Sequence, residues 1–216
     1  LFLDPHTLLP FFAGTYFPAQ TQNGQPGFAD LLMRLFEAYD KKREELTSQA
    51  DKLSNTLKQL SSPVLDPELT DAALISACRD GLAERFDSAE GGFGQSMKFA
   101  MPGSIDRLLK HWAHLRRDNG VDKDTLEMVM TTLTQIARGG VFDHIGGGFF
   151  RYAQDRQWRI PHFEKVLYDN AQLLSLYAQA MKLGGDVLFA DALTTTLAWL
   201  MREMRDPQGG FYAGQD

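Results

Sequence analysis

Apolar residues recur along most of this chain at intervals of three and four, the spacing that lays a continuous stripe on one face of an α-helix. Phe28, Leu31, Leu32, Leu35, Phe36 and Tyr39 mark one such face, and Leu46, Leu53, Leu57 and Leu60 continue it beyond a charged patch. Ser61, Ser62 and Pro63 end that helix, residues 64–70 read as a linker, and Thr70 or Asp71 is the expected N-cap of the next helix. Further stripes predict helices over 71–86, 104–116, 123–138, 163–183 and 187–205. The opening stretch differs. Residues 1–3 and 11–17 read as two short strands around an Asp-Pro-His turn, followed by polar turn residues to Gly27. A lone hairpin is marginal in water, so it is expected at the edge of a larger sheet or docked on helices. Strands are nearly absent after residue 20, and the fold class is mostly α.

Three times a helical stripe runs into an aspartate and then a Gly-Gly-Phe turn: FDSAEGGF ending at Phe93, FDHIGGGF ending at Phe149 and RDPQGGF ending at Phe211. A period of this size, two helices with their connections, indicates stacked helical hairpins, none of which buries its apolar face alone. The glycines permit positive φ at the helix end, and the phenylalanine folds back between helices. Such turns would gather at one rim of a ring. The chain ends within the third copy's turn and opens inside an apolar run, so both ends read as cuts through a longer protein that should leave apolar surface exposed.

Composition narrows the function classes. The chain has 216 residues, 44% of them hydrophobic, and a net charge of −6. Its longest basic run is Lys41-Lys42-Arg43, which argues against nucleic acid or an anionic membrane as the main partner. No apolar run reaches the ~18 residues of a membrane span. Cys78, the only cysteine, lies at helical spacing with Leu74, Ile75 and Leu82 and is expected to be a buried structural thiol. Cysteine poverty fits a reducing compartment, and a cytoplasmic location is the expectation.

The densest polar cluster spans 142–173. Read as a loop running into a helix, it places His162, Glu164, Lys165, Tyr168 and Asp169 on the first two turns, with Lys165 and Asp169 four apart and Lys165 and Tyr168 sharing a face. Asp143 and His144 precede the triple glycine, and Arg151, Trp158 and Arg159 lie between. Each residue has a bland reading: an exposed ion pair, a capping histidine, an Asx turn, solvated arginines. Their co-occurrence points instead to a small-molecule pocket, since aromatic rings with a few convergent polar groups line such sites and stack on sugars. His162-Phe163-Glu164 is too sparse for a metal site, and the triple glycine lacks the strand and the GK[ST] ending of a phosphate loop. No metal and no cofactor is expected.

GTYFP (14–18), GQPGF (24–28), GGFG with KFAMP (91–102), GGVFDHIGGGFFRY (139–152) and PHFEKVLYDNAQL (161–173) together resemble the thioredoxin-domain-containing proteins related to spermatogenesis-associated protein 20. The resemblance covers essentially the whole chain. It implies an N-terminal thioredoxin-like domain followed by an (α/α)6 toroid similar to N-acylglucosamine 2-epimerases and six-hairpin glycosidases. Residues 1–63 would then be the C-terminal end of the thioredoxin-like domain, and 64–216 the first part of the toroid. The family's CxxC-type motif has no counterpart here, so redox activity is not expected of these residues.

Two readings follow. In the first, the toroid binds or converts a sugar-like molecule, with His162 or His144 as base, Glu164 or Asp143 as acid, and Trp158 and Tyr168 as the sugar platform. Lys165, Arg151 and Asp169 would contribute to substrate binding. In the second, the toroid is a non-catalytic scaffold whose candidate partner is the upstream thioredoxin-like domain.

Overall fold

The computed structural model describes residues 1–61, 71–184 and 186–216. The expected linker at 64–70, the helix stop at Ser62 and Pro63, and the Thr70 cap lie outside these residues. The chain divides into two compact units, 1–68 and 69–216.

In the first unit, strands β1 (Phe2–Leu3) and β2 (Pro10–Phe12) pair antiparallel as a hairpin. Asp4 holds its turn, accepting from the amides of His6 and Thr7 and from the Tyr39 hydroxyl at 2.8 Å. The backbone amide of Thr7, then Tyr39, keeps this carboxyl well below the usual range. The long stripe is two helices, α1 (Phe28–Lys41) and α2 (Arg43–Ser61), broken at Lys42 where φ is −132°. The charged patch interrupts the apolar stripe there, and a broken stripe leaves little packing to hold one straight helix.

The second unit is built of α3 (Asp71–Arg85), α4 (Pro102–Arg117), α5 (Lys123–Arg138), α6 (Leu167–Lys182) and α7 (Val187–Trp199), the last running on as a π-helical turn, Leu200–Met204. It is mostly α, as the periodicity predicts. Helices α4 and α5 form one antiparallel hairpin and α6 and α7 the next; α4 also packs on α6, and α5 on α7. Asp122 caps α5 through the Thr125 amide, and Asp186 caps α7 through that of Leu188. The core holds Ile105, Leu108, Val129, Leu133, Ile136 and Leu173, all without solvent exposure. Cys78 is exposed, as is Leu74: α3 meets the core through Leu82 and Ala83, and Phe86 just after it does the same, so the expected buried thiol is corrected.

The three Gly-Gly-Phe turns share one geometry. Their ends bridge as Phe86 to Phe93, Phe142 to Phe149 and Arg205 to Phe211. In the first two, the aspartate amide donates to the carbonyl five residues on, Asp87 to Gly92 and Asp143 to Gly148; the third is a residue shorter, Asp206 donating to Gly210. Short strands tie each turn to the next. β3 (Lys98–Phe99) pairs with β4 (Tyr152–Ala153), which follows the second turn, and β5 (Lys165–Val166) pairs with β6 (Gly214–Gln215), which follows the third. Glycine is required where these pieces close up. At Gly147, with φ +82°, a Cβ would lie 2.3 Å from the Thr195 carbonyl oxygen, and at Gly92 (φ +72°) 2.6 Å from the Trp158 ring.

Inside the first turn, Lys98 is fully buried and its ammonium donates to Asp87 Oδ2 at 2.8 Å and to the Gly91 carbonyl. Arg156 forks onto both Asp87 oxygens at 2.6 and 2.8 Å. Arg156, together with Lys98 and the Glu90 amide, holds the Asp87 carboxyl well below the usual carboxylate range against the effect of burial. Asp87→Asn would leave the Lys98 ammonium buried without its counter-ion and should cost about 3–5 kcal/mol in urea unfolding. A loss under ~1 kcal/mol would show the pair to be unimportant. Because the folded pKa is depressed, this contribution is complete above the unfolded carboxylate pKa of about 3.9 and declines as pH falls below it. The acid limb of the stability curve should therefore flatten in the variant.

Candidate functional site

The second Gly-Gly-Phe turn and the chain that follows it carry the cluster read from the sequence. The helix expected over 163–183 begins only at Leu167. Residues before it are committed to extended pairing: Pro161 bridges Ala153, the His162 amide donates to Tyr152, and Lys165 and Val166 pair with Gln215 and Gly214. His162 therefore does not stand on the first turns of a helix, and that expectation is corrected. Lys165 likewise shares no helical face with Tyr168 or Asp169. Its ammonium donates to Asp143 Oδ2 at 2.7 Å and to the Gly147 carbonyl at 2.8 Å, and lies over the Phe150 and Trp199 rings. Burial alone would push the Asp143 carboxyl up, but Lys165 and the amides of Gly146 and Ile145 outweigh it and hold it below the usual range. Lys165 and Asp143 thus repeat the Lys98 and Asp87 clamp.

Trp158 is 1% exposed, at φ +64°, and its indole donates to the Glu90 carbonyl at 2.9 Å. A ring with no open face is no platform for a sugar, so the structure moves Trp158 from the expected site to the core. His144 is exposed on the turn, edge-on to Phe142 and 3.0 Å from the Gly139 carbonyl.

Five of the expected residues do lie together, Arg151, Glu164, His162, Tyr168 and Asp169. Arg151 Nη1 donates to Glu164 Oε2 at 2.7 Å, while the Arg151 amide donates to the Glu164 carbonyl, also at 2.7 Å. That carboxylate raises the guanidinium pKa, reinforced by the nearby Tyr168 and Asp169. Asp169 is half-buried, and burial pushes its carboxyl up, opposed by Arg151. His162 Nδ1 lies 3.9 Å from Glu164 Oε2, shielded from solvent and without a hydrogen-bond partner. Its ring stacks on Tyr152 at 4.7 Å, and Tyr152 meets Phe99 tilted by 31° at 4.8 Å, giving a row of three rings whose Phe99 end is 43% exposed. A cleft of about 140 Å³ between Phe150, Phe163, Lys165 and Gln215 lies beside the separate β5–β6 ladder. Phe99 and Tyr152 escaped the sequence reading because they come from different repeats and are joined only by the β3–β4 ladder. Among the described residues no group of three or more His, Cys, Asp or Glu is placed to hold a metal. None of the described helices is long and apolar enough to cross a membrane.

Residues 1–58 match Thioredox_DsbH, described as a protein of unknown function, DUF255. The whole chain aligns with spermatogenesis-associated protein 20, at 36% identity over 220 residues for the human protein and over 214 for that of Rattus norvegicus. The resemblance carried by the motifs holds along the full chain. An uncharacterised protein of Caenorhabditis elegans is 33% identical over 219 residues. The chain covers all or nearly all of its own length in these alignments but spans only 27 to 29% of the relatives. Among solved structures, it is similar to a sugar epimerase from a ruminal bacterium, with TM-score 0.50 and 15% identity over 66% of this chain and 40% of that one. It is also similar to the cellobiose 2-epimerase of Bacillus thermoamylovorans, with TM-score 0.52 and 16% identity over 67% of this chain and 38% of the other. These likenesses establish the fold, a partial α/α toroid of helical hairpins.

The ring stack yields a direct check. His162→Phe keeps the stacking on Tyr152 and should unfold within about 0.5 kcal/mol of wild type, whereas His162→Ala should lose roughly 1 kcal/mol. Equal losses in urea unfolding would show that the ring does not pack as described.

Proposed function

We propose that this chain is part of a larger protein in which the α/α toroid binds or converts a sugar-like small molecule at the rim formed by Arg151, Glu164, His162, Tyr168 and Asp169. In this reading residues 1–63 close a thioredoxin-like domain, 64–216 open the toroid, and the protein works in the cytoplasm. The observation that carries it is the meeting of an arginine–glutamate pair with an unpartnered histidine nitrogen beside an aromatic stack. An ionised pair offers both donors and acceptors to vicinal hydroxyls, and ring edges and faces suit the apolar side of a pyranose. Asp169, whose carboxyl burial pushes up, is suited to give a proton, and His162 to take one. The epimerase likeness supports the substrate class through fold alone.

The Arg151–Glu164 contact also favours the second reading, since a carboxylate already tied to a guanidinium is a common structural strut. In that reading the toroid is a scaffold for the upstream thioredoxin-like domain. Calorimetric titration of the full-length protein with glucose, N-acetylglucosamine and cellobiose separates the two. Glu164→Gln keeps shape and removes charge, so it should lower saccharide affinity by about tenfold or more, the range for losing a charged hydrogen bond, and leave the melting temperature within a few degrees. No saccharide binding by the wild type, or binding unchanged in the variant, would favour the scaffold.

A further inference from the structure

Two apolar concavities of the second unit lie at the other end of the helical hairpins, away from the rim. Trp112 on α4 stands between two of them. One, of about 490 Å³, is walled by Trp112, Val121, Leu126 and Met130 between α4 and α5. The other, of about 220 Å³, is walled by Leu109, Ala113 and Leu183 between α4 and α6. The first falls within the roughly 300–1,000 Å³ typical of small-ligand sites.

The charges around them are unlike those of the chain as a whole. In a protein of net charge −6, the first concavity is edged by Arg116 and Lys123 against the single acid Glu127, and the second by Lys110 and Lys182 with no acid. Lys110 is paired with Asp106, but Arg116, Lys123 and Lys182 make no ion pair among the described residues. Of the acids nearby, Asp122 binds Arg79 and Thr125, Asp118 lies 3.8 Å from His114, and Glu127 stands in the lining itself, so the two cations outnumber the one acid there. Arg116 instead lies over the Trp112 ring, 5.2 Å from its centroid. Unpaired cations at the mouth of an apolar trough present a favourable field to one kind of molecule, an anion with an apolar body.

We propose that the Trp112 trough is a second ligand site, separate from the rim, which binds a small amphipathic anion such as a medium-chain carboxylate. The apolar chain lies between α4 and α5 against Trp112, Leu126 and Met130, and the carboxylate faces Arg116 and Lys123. This site goes beyond the sugar reading and does not depend on it.

The test uses decanoate below its micellar concentration, with decyltrimethylammonium as the probe of equal chain length and opposite charge. Binding to the full-length protein is followed by calorimetry and by the part of the fluorescence change that Trp112→Phe removes; Trp112 is partly exposed, whereas Trp158 and Trp199 are each 1% exposed. Decanoate should bind saturably and about tenfold more tightly than the ammonium probe, with the preference shrinking as salt screens the cations. Lys123 is exposed, so Lys123→Glu should leave the melting temperature unchanged and weaken decanoate by about threefold or more. In Trp112→Phe, calorimetry should still detect the ligand. Equal binding of the two probes, no saturable binding, or decanoate affinity unmoved by Lys123→Glu would overturn the proposal.

Discussion

A lysine buried between an aspartate and a glycine carbonyl is the interaction on which the rim of this fold depends. Lys98 with Asp87 and Gly91, and Lys165 with Asp143 and Gly147, satisfy the same turn in the same way. Each lysine sits in a strand that pairs beyond the next Gly-Gly-Phe turn, so the clamp also fixes neighbouring repeats to one another. A buried ammonium is tolerated only with its counter-charge and further acceptors in place. Removing one partner therefore unsettles the turn, the ladder and the packed phenylalanine together. Asn170 reinforces the second turn, accepting from the Phe149 amide and donating to the Phe149 and Val166 carbonyls. The third turn differs: among the described residues Asp206 accepts from the Tyr212 hydroxyl and the Gln208 amide rather than from a lysine.

Much of this was legible in the residue pattern. Helical periodicity placed α3 to α7 within a few residues, and the repeated Gly-Gly-Phe string identified the turns. The clamp was not legible, because Lys98 follows its aspartate by 11 residues and Lys165 by 22, the extra length being the hairpin through Asp155. A repeat whose two partners are spaced differently leaves no fixed motif. The helix start was misread for a related reason. Residues 163–166 carry apolar spacing compatible with a helix, yet the strand partner Gly214–Gln215, distant in sequence, offers their backbone a better use.

The same long-range ladders decide which expected site residues meet. Trp158 looks like a platform in sequence, but its ring fills the space that Gly92 leaves open and becomes part of the core. Tyr152, paired to Phe99 across β3 and β4, brings an aromatic surface beside His162 instead. Arg151 and Glu164 meet because their backbones are already joined by a hydrogen bond across the same loop. The candidate site is thus a consequence of the rim clamp, and its polar groups inherit their order from it.

Native-state hydrogen exchange of wild type and Lys165→Met tests that dependence most directly. Without the lysine, Asp143 is left half-buried and unpaired, and the account predicts that the amides of Gly147, Phe150 and Arg151 exchange about 100-fold faster while those of the α4–α5 hairpin keep their protection. Unchanged exchange at the rim, or loss of protection spread evenly over both helices, would contradict it.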